Sequence, residues 1–327
     1  MVFRSLFKLL ILLITALSLS HFISDRAFIF ELVSHFQILW MSLLAIGILV
    51  SWLVRWYKWS FLLALALGLN VNDLMTWYIA NKVPEQAQSQ LKVLLFNQGL
   101  YNEKGAAIAE AVQRSQPDVV MIQEVNRQTA VALNALAAYP YRVSNLRQDS
   151  RDMALWSRYP LSQTQKDVVM PESMTSIYTQ LHLPNKTLPL LLVHTSSANH
   201  VYTFKLRQME WQAMADFVGA HPSRDWIVLG DMNTTMWSEL YRNFERSTLL
   251  HNSRKGFGIL PTWPTIYSNW HGPKILQKAL NPLPSLLKRL PIDHCLLGPD
   301  IHTKKTQVFM QPELDSDHFP LWIELLL

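Results

Sequence analysis

The sequence predicts an α+β protein in which three membrane-spanning helices precede a globular domain of packed β-sheets flanked by helices. Half of the 327 residues are hydrophobic, and the mean hydropathy of +0.08 is high for a soluble enzyme. This excess of apolar residues lies in the first 83 positions. Beyond them, short apolar runs alternate with polar stretches and with patterns of helical period, which is typical of sheets packed against helices.

Long apolar segments cover about residues 5–23, 36–54 and 59–80. Each of them approaches the roughly 20 residues that a helix needs to cross a bilayer. Core helices usually have a charged face, which these segments lack. We therefore expect residues 1–83 to form a membrane anchor with three transmembrane helices. Residues 84–90 are polar and begin with a proline, which indicates a short linker.

Basic residues near the apolar segments indicate the orientation in the membrane. Arg4 and Lys8 lie at the start of the first segment, and Arg55 and Lys58 lie between the second and the third. Because such residues favour the cytoplasmic side, we expect the N-terminus inside and the chain after Ala80 outside. In a bacterium this describes a multi-pass inner-membrane protein with a periplasmic or extracellular domain. A cleaved signal peptide at the first segment would leave this orientation unchanged.

The remaining residues, 91–327, are predicted to form one domain. Apolar runs bounded by turn-forming residues indicate strands, and apolar spacing of helical period indicates helices. The predicted strands are residues 91–97, 118–124, 141–144, 153–157, 176–183, 188–195, 226–229, 293–297, 302–310 and 320–326. The predicted helices are residues 104–114, 127–138, 202–218 and 237–246. Because helices are interspersed with strands that are adjacent in sequence, we expect packed sheets rather than one doubly wound sheet.

Polar side chains stand where several of these apolar runs end. Asn97 closes the first strand, Glu124 follows the buried strand pattern with one glutamine between, and His194 ends the run at 190–193. A carboxylate at the end of a buried strand is well placed to bind a metal ion, and a histidine there can donate a proton to a phosphoryl group. Taken alone, Glu124 is better explained as a solvated strand end and His194 as a structural histidine, and a turn residue is the alternative for Asn97.

The string Gly230-Asp231-Met232-Asn233 is more specific. It follows an apolar run, and the glycine permits a tight turn directly after the strand. Asp231 and Asn233 stand two residues apart, so that an acceptor and a donor project to one side, towards one phosphate group. A turn or a helix cap is the alternative, because aspartate and asparagine are common in both.

Two Asp-His pairs complete the pattern, Asp293-His294 and Asp317-His318. An imidazole becomes a useful base near neutral pH when a carboxylate fixes its tautomer. We expect Asp293 to be the partner of His318, and Asp317 to bind a metal. Hard oxygen ligands for a divalent cation, together with an imidazole that activates water, are what metal-assisted hydrolysis of a phosphoester needs.

The order Asn, Glu, His, Asp-x-Asn, Asp-His, Ser-Asp-His resembles the endonuclease/exonuclease/phosphatase superfamily, which includes pancreatic deoxyribonuclease, abasic-site endonucleases, neutral sphingomyelinases and inositol-phosphate phosphatases. The resemblance spans about residues 91–327. Further matching strings are Pro117-Asp118-Val119-Val120, Ser157-Arg158-Tyr159-Pro160, Pro261-Thr262-Trp263-Pro264 and Ser316-Asp317-His318. The resemblance implies a four-layer α/β sandwich whose site lies at one edge of the two sheets.

The resemblance also implies a cofactor. In such a protein Glu124 would bind Mg²⁺, with Mn²⁺ as the alternative ion, and Asn97 and Asp317 would lie close to the ion. The chain is similar to the membrane-bound branch of the superfamily, in which a few N-terminal helices precede an external domain. Polyprenyl pyrophosphates and phospholipids are the substrates that this branch suggests.

Roles for the remaining residues follow from the same resemblance. Asp231 and Asn233 match the Gly-Asp-x-Asn motif and would position the nucleophile and the phosphate. His318 would act as a base or stabilise charge, and Asp293 would orient it. His194 falls where many members of the superfamily carry a histidine that assists the leaving group.

Residues 265–290 interleave apolar side chains with basic ones just before Asp293. Such a loop suits contact with lipid tails and anionic headgroups, and a packed excursion over the sheet edge is the equal alternative. We therefore expect the partners to be the bilayer and a phosphorylated, lipid-linked substrate.

Two other functions are compatible with the sequence. A periplasmic nuclease would bind DNA electrostatically, but three of the five net positive charges lie in the first 83 residues, so the domain is nearly balanced. A non-catalytic envelope binding protein would have lost its metal ligands, whereas all the residues of the motif are present.

Overall fold

The computed structural model describes residues 2–79, 90–147, 152–265 and 284–327. Within these ranges, two six-stranded sheets pack face to face. In spatial order the first sheet consists of β11 (His302–Val308), β12 (Leu321–Leu326), β1 (Gln90–Asn97), β2 (Val119–Gln123), β4 (Met153–Ser157) and β3 (Tyr141–Asn145). The second consists of β5 (Leu161–Lys166), β6 (Thr175–Leu183), β7 (Lys186–His194), β8 (Ile227–Asp231), β10 (Asp293–Leu297) and β9 (His251–Asn252).

Both sheets are mixed. The pair β1–β2 and the pair β7–β8 are parallel, and the other neighbours run antiparallel. A parallel pair needs a crossover connection. Each of these crossovers is a helix on the outer face of its sheet, α5 (Gly105–Ser115) between β1 and β2 and α7 (Val201–Ala220) between β7 and β8.

Helices cover the outer face of each sheet, which gives four layers. The helices α5 and α6 (Arg127–Asn134) pack on the first sheet, and α7 and α8 (Glu239–Thr248) pack on the second. The strand β2 shows why this arrangement forms, because side chains alternate between the two faces of a strand. Its Val119 and Met121 lie in the core between the sheets, whereas Val120 and Ile122 contact the helices. The sandwich that the sequence predicts is therefore confirmed.

The prediction of three transmembrane helices is wrong. The N-terminal region contains α1 (Val2–Leu19), α2 (Phe28–Ser34), α3 (Gln37–Leu53) and α4 (Tyr57–Met75). Of the described residues, the stretch Arg4–Ile23 is long and apolar enough to cross a membrane, and α2 with α3 makes a second candidate only if this pair, bent by 75°, counts as one span. The polar residues of α4, which include Asn70, Asn72 and Asp73, explain why that helix does not qualify. The predicted linker 84–90 lies outside the described residues except for Gln90.

The N-terminal helices form a small apolar cluster and also contact the globular domain. Ile11, Leu44 and Leu63 are buried against one another where α1, α3 and α4 meet. At the end of α4, the Asp73 carboxylate lies 3.5 Å from Arg242 of α8. The N-terminal helices and the globular domain are therefore in direct contact.

Candidate active site

The strand ends that carry the polar residues meet at one edge of the sandwich. Within the first sheet, Asn97 pairs in register with Gln123. Within the second, Asp231 pairs with Asp293. The buried amide of Gln123 joins the two sheets, because its Oε1 accepts a hydrogen bond from the Asp231 backbone N–H at 2.6 Å and its Nε2 donates to the Val193 carbonyl at 2.9 Å. This bridge fixes the distance between the two groups of candidate residues.

The Asn97 side chain connects the two carboxylates that face it. Its Nδ2 lies 3.2 Å from Glu124 Oε1 and 3.2 Å from Asp231 Oδ2, and its Oδ1 accepts from the Gly99 backbone N–H at 3.0 Å. Glu124 follows β2 in a left-handed conformation with φ of 54°. Burial raises the pKa of the Glu124 carboxyl, although His318 and the Asn97 amide act in the opposite direction.

The Gly-Asp-x-Asn turn begins later than the sequence predicts, because Gly230 and Asp231 are the last two residues of β8 and the chain bends only after them. A side chain at Gly230 would bring its Cβ within 1.8 Å of the Val193 carbonyl oxygen, so this position requires glycine. Asp231 Oδ1 accepts from the Asn233 backbone N–H at 2.9 Å, and Asn233 Nδ2 donates to the Thr195 carbonyl at 2.8 Å. Burial, together with the nearby Asp293 carboxylate, raises the pKa of Asp231 to about 7.

His318 and Asp293 form a buried pair. The distance from His318 Nδ1 to Asp293 Oδ2 is 2.8 Å, and His318 Nε2 lies 3.6 Å from Asp231 Oδ2. Burial alone would lower the pKa of His318, but Asp293, together with Asp231 and Asp317, raises it to about 10. Burial would likewise raise the pKa of Asp293, and the facing imidazolium lowers it instead. The pair therefore holds a proton on the imidazole at neutral pH.

His194 and Asp317 lie next to this cluster. His194 Nε2 is 3.7 Å from Asp231 Oδ2 and 4.0 Å from Glu124 Oε1. Asp317 Oδ2 accepts from the indole N–H of Trp263 at 3.1 Å. The structure thus brings all the predicted site residues to one edge, namely Asn97, Glu124, His194, Asp231, Asn233, Asp293, Asp317 and His318. Their individual roles remain predictions.

Several supporting residues were not predicted from the sequence. Gln123 joins the sheets, Thr195 holds the Asn233 amide, and the Ser316 hydroxyl donates to the Asn97 carbonyl at 2.8 Å. Gln123 carries a recognisable signal, because it is a polar residue at the end of a fully buried strand. Trp263 belongs to the matching string Pro261-Thr262-Trp263-Pro264, but its contact with Asp317 joins segments 54 residues apart and could not be predicted from that string.

The donor set fits a divalent cation. The carboxylates of Glu124, Asp231, Asp293 and Asp317 lie at the same edge, and carboxylate oxygens are the ligands that hard cations prefer. Asp293 Oδ1 is buried without a hydrogen-bond partner, and the pKa of Asp231 is raised, as expected for a buried carboxyl group beside a second carboxylate. One oxygen from each of Asp231 and Asp293 and a nitrogen of His318 lie within 4.8 Å of one another, close enough to hold a metal.

Comparison with known families decides the class of this site. Residues 88–318 match the family described as Endonuclease/Exonuclease/phosphatase family. The chain belongs to this family. The match covers the whole of the candidate site, from Asn97 to His318, and the members of this family act on phosphoester bonds. A comparison with curated protein sequences returns no match.

Solved structures with the same fold extend this result. A family member from Beutenbergia cavernae is 16% identical, with a TM-score of 0.57 over 73% of this chain and 72% of that one. D. rerio TDP2 in complex with a single-stranded DNA product is 16% identical, with a TM-score of 0.59 over 73% and 100%. Beta toxin from Staphylococcus aureus is 17% identical, with a TM-score of 0.54 over 71% and 99%. At these identities the likeness concerns the fold.

Proposed function

We propose that the protein is a membrane-anchored, divalent-cation-dependent hydrolase that cleaves a phosphate ester or pyrophosphate in a lipid-linked substrate. One observation carries the proposal: the His318–Asp293 pair faces Asp231, with Glu124 joined to the same carboxylate through Asn97. Membership of the endonuclease/exonuclease/phosphatase family supports phosphoester hydrolysis as the reaction.

Glu124, Asp317 and Asn97 are the residues that would hold Mg²⁺ or Mn²⁺. The alternative ligand set includes His318, whose raised pKa means that a metal would have to displace its proton before binding. Glu124 and Asp317 are also less buried than Asp231 and Asp293, so an entering ion can reach them. When bound, the cation would polarise a phosphoryl oxygen and offset its negative charge.

The chemistry of the protein's own residues then follows from their pKa values. Asp231, with a pKa of about 7, can accept a proton from an attacking water near neutral pH, where a general base is most effective. His318 keeps its proton because of Asp293, so it stabilises negative charge that develops on the phosphoryl group. His194, whose Nε2 lies 3.7 Å from Asp231 Oδ2, would donate to the leaving group. The Asn233 amide would orient the phosphate.

A lipid-linked substrate is supported by the surroundings of the site. α1 exposes Leu6, Leu9 and Leu13, and a contiguous exposed apolar face marks a membrane or protein contact. The Trp263 backbone N–H donates to the Leu290 carbonyl at 3.0 Å, and the Trp263 indole donates to Asp317. The two ends of the apolar and basic segment between Trp263 and Leu290 therefore lie close to Asp317. Residues 266–283 of this segment lie outside the described part of the chain. The outward orientation is proposed on the distribution of basic residues alone.

A substrate panel tests the proposal. The purified full chain in lipid nanodiscs with Mg²⁺ would be assayed on a polyprenyl pyrophosphate, a phospholipid, and single- and double-stranded DNA. Glu124→Gln and His318→Gln remove site residues, and the exposed Glu313→Gln and His200→Gln are matched controls. We expect phosphate release from a lipid substrate that only the site variants lose. Equal activity of the site variants and the parent would reject the site, and cleavage of DNA alone would make the protein a nuclease.

A further inference from the structure

Glu31 of the N-terminal helix α2 is buried inside the globular domain, where its carboxylate meets donors from two elements. The side chain is 1% exposed. Its Oε1 accepts from Arg207 Nη2 of α7 at 2.6 Å and from Thr234 Oγ1 at 3.0 Å. Its Oε2 accepts from Ser238 Oγ at 2.7 Å. Both carboxylate oxygens are therefore occupied by residues that lie more than 170 positions away in the sequence.

Arg207 transmits this contact to the candidate active site. The guanidinium is as buried as Glu31, and its Nη1 donates to the backbone carbonyl of Asn233. The N–H of the same Asn233 donates to Asp231 Oδ1. The Glu31–Arg207 ion pair thus links the N-terminal region to the backbone of the Gly-Asp-x-Asn turn, because Arg207 contacts both Glu31 and Asn233.

Two further contacts hold the segment that follows the turn. His35, at the end of α2, places Nδ1 3.1 Å from Thr235 Oγ1. The Ser24 hydroxyl, just before α2, accepts from the Glu239 backbone N–H at 2.7 Å. Residues 234–239 are therefore bound at several points to the stretch from Ser24 to His35. A tether that merely keeps a domain near a membrane does not need buried polar contacts of this kind, because burying such groups is costly unless each finds a partner.

We propose that Glu31 is a positioning residue of the active site: through Arg207 it fixes the Asn233 peptide and thereby the direction of the Asp231 carboxylate. The N-terminal helices are then part of the catalytic unit as well as its anchor. This inference rests on the proposed hydrolase function for its kinetic readout, whereas its structural readout does not depend on any activity.

Two variants of the full chain in nanodiscs test the inference. Glu31→Gln removes the charge, and Glu31→Gln/Arg207→Met removes both members of the ion pair, so that neither of the two is left buried without the other. The matched control is Asp25→Asn, which removes a carboxylate of the same segment that pairs with the neighbouring Arg26. Because a misplacement of about 1 Å can cost about 100-fold in rate, we expect kcat to fall by about 10- to 100-fold in both variants. KM should stay within about twofold, since substrate binding is unchanged.

Amide hydrogen exchange supplies the readout that is independent of activity. The N–H groups of residues 231–238 should exchange faster in both variants than in the parent, and at the parental rate in Asp25→Asn. If the parent hydrolyses nothing in the substrate panel, the proposed function fails. Amide exchange of residues 231–238 still decides whether Glu31 positions this turn. Variants that melt at the parental temperature and keep the parental kcat and the parental exchange would overturn the inference.

Discussion

Replacing Asp293 by asparagine removes the negative charge that faces His318 while keeping the shape of the side chain. The two groups are 2.8 Å apart, and both are almost completely buried. Asparagine can still accept the hydrogen bond from Nδ1, so the orientation of the imidazole should survive. What changes is the preference of His318 for its charged form.

The size of the change follows from the causes of the shift. Burial lowers the pKa of His318 most strongly, and Asp293 supplies the two largest opposing contributions, through its charge and through its hydrogen bond. Without that charge, we expect the pKa to fall from about 10 towards its ordinary value of 6.5. A fall of about three units corresponds to roughly 4 kcal/mol of lost preference for the imidazolium.

The assay is an NMR titration of metal-free protein with labelled histidine between pH 5 and 10, in which His318→Gln identifies the signal. In the parent the His318 signal should titrate near pH 10, and in Asp293→Asn near or below pH 7. Asp317→Asn is the control, because Asp317 raises this pKa less than Asp293 does. A His318 signal that titrates above pH 9 in Asp293→Asn would refute the assignment of Asp293 as its partner.

Other consequences can be measured independently. The pKa of Asp231 is raised from 3.8 to about 7, so the folded state binds the proton of this carboxyl group more tightly than the unfolded state does. Stability is therefore lost as the pH rises between these two values. Asp231→Asn should therefore melt at a higher temperature than the metal-free parent at pH 8 but not at pH 4, and a lower melting temperature at pH 8 would contradict the predicted repulsion. Mg²⁺ should raise the melting temperature of the parent but not that of Glu124→Gln, because a ligand that binds the folded state stabilises it. An equal rise in both proteins would show that Glu124 is not a ligand. Leu9→Lys/Leu13→Lys should shift the protein from the membrane fraction towards the soluble one, because both side chains are exposed; unchanged fractionation would argue against α1 as the anchor.

The site could be predicted from the sequence because its residues stand at the ends of apolar runs. Asp231 is the last residue of a strand that is buried throughout, and Glu124 comes directly after another. Strand position alone therefore places such side chains at a sheet edge. The edges of the two sheets coincide because of contacts between distant segments, such as the hydrogen bond between Gln123 and Asp231. No local sequence pattern predicts these contacts.

Two parts of the fold were not predictable in this way. The strand β5, Leu161–Lys166, is polar and largely exposed at the edge of its sheet, so it carries no apolar alternation. In the N-terminal region, hydropathy reveals apolar segments but neither the 75° bend between α2 and α3 nor the docking of Glu31 onto α7. The role of a carboxylate in an apolar region, such as Glu31, cannot be predicted until its partner is known. The partner of Glu31 is Arg207, which lies 176 residues away in the sequence.

The central claim is that the predicted site residues converge on one divalent ion. The position of that ion tests the claim most directly. Anomalous diffraction from crystals of the full chain soaked with Mn²⁺ would locate that ion. We expect one peak about 2 Å from a carboxylate oxygen of Glu124 and adjacent to Asp317. A peak held by Asp231, Asp293 and His318 instead, or no peak at this edge of the sandwich, would contradict the account.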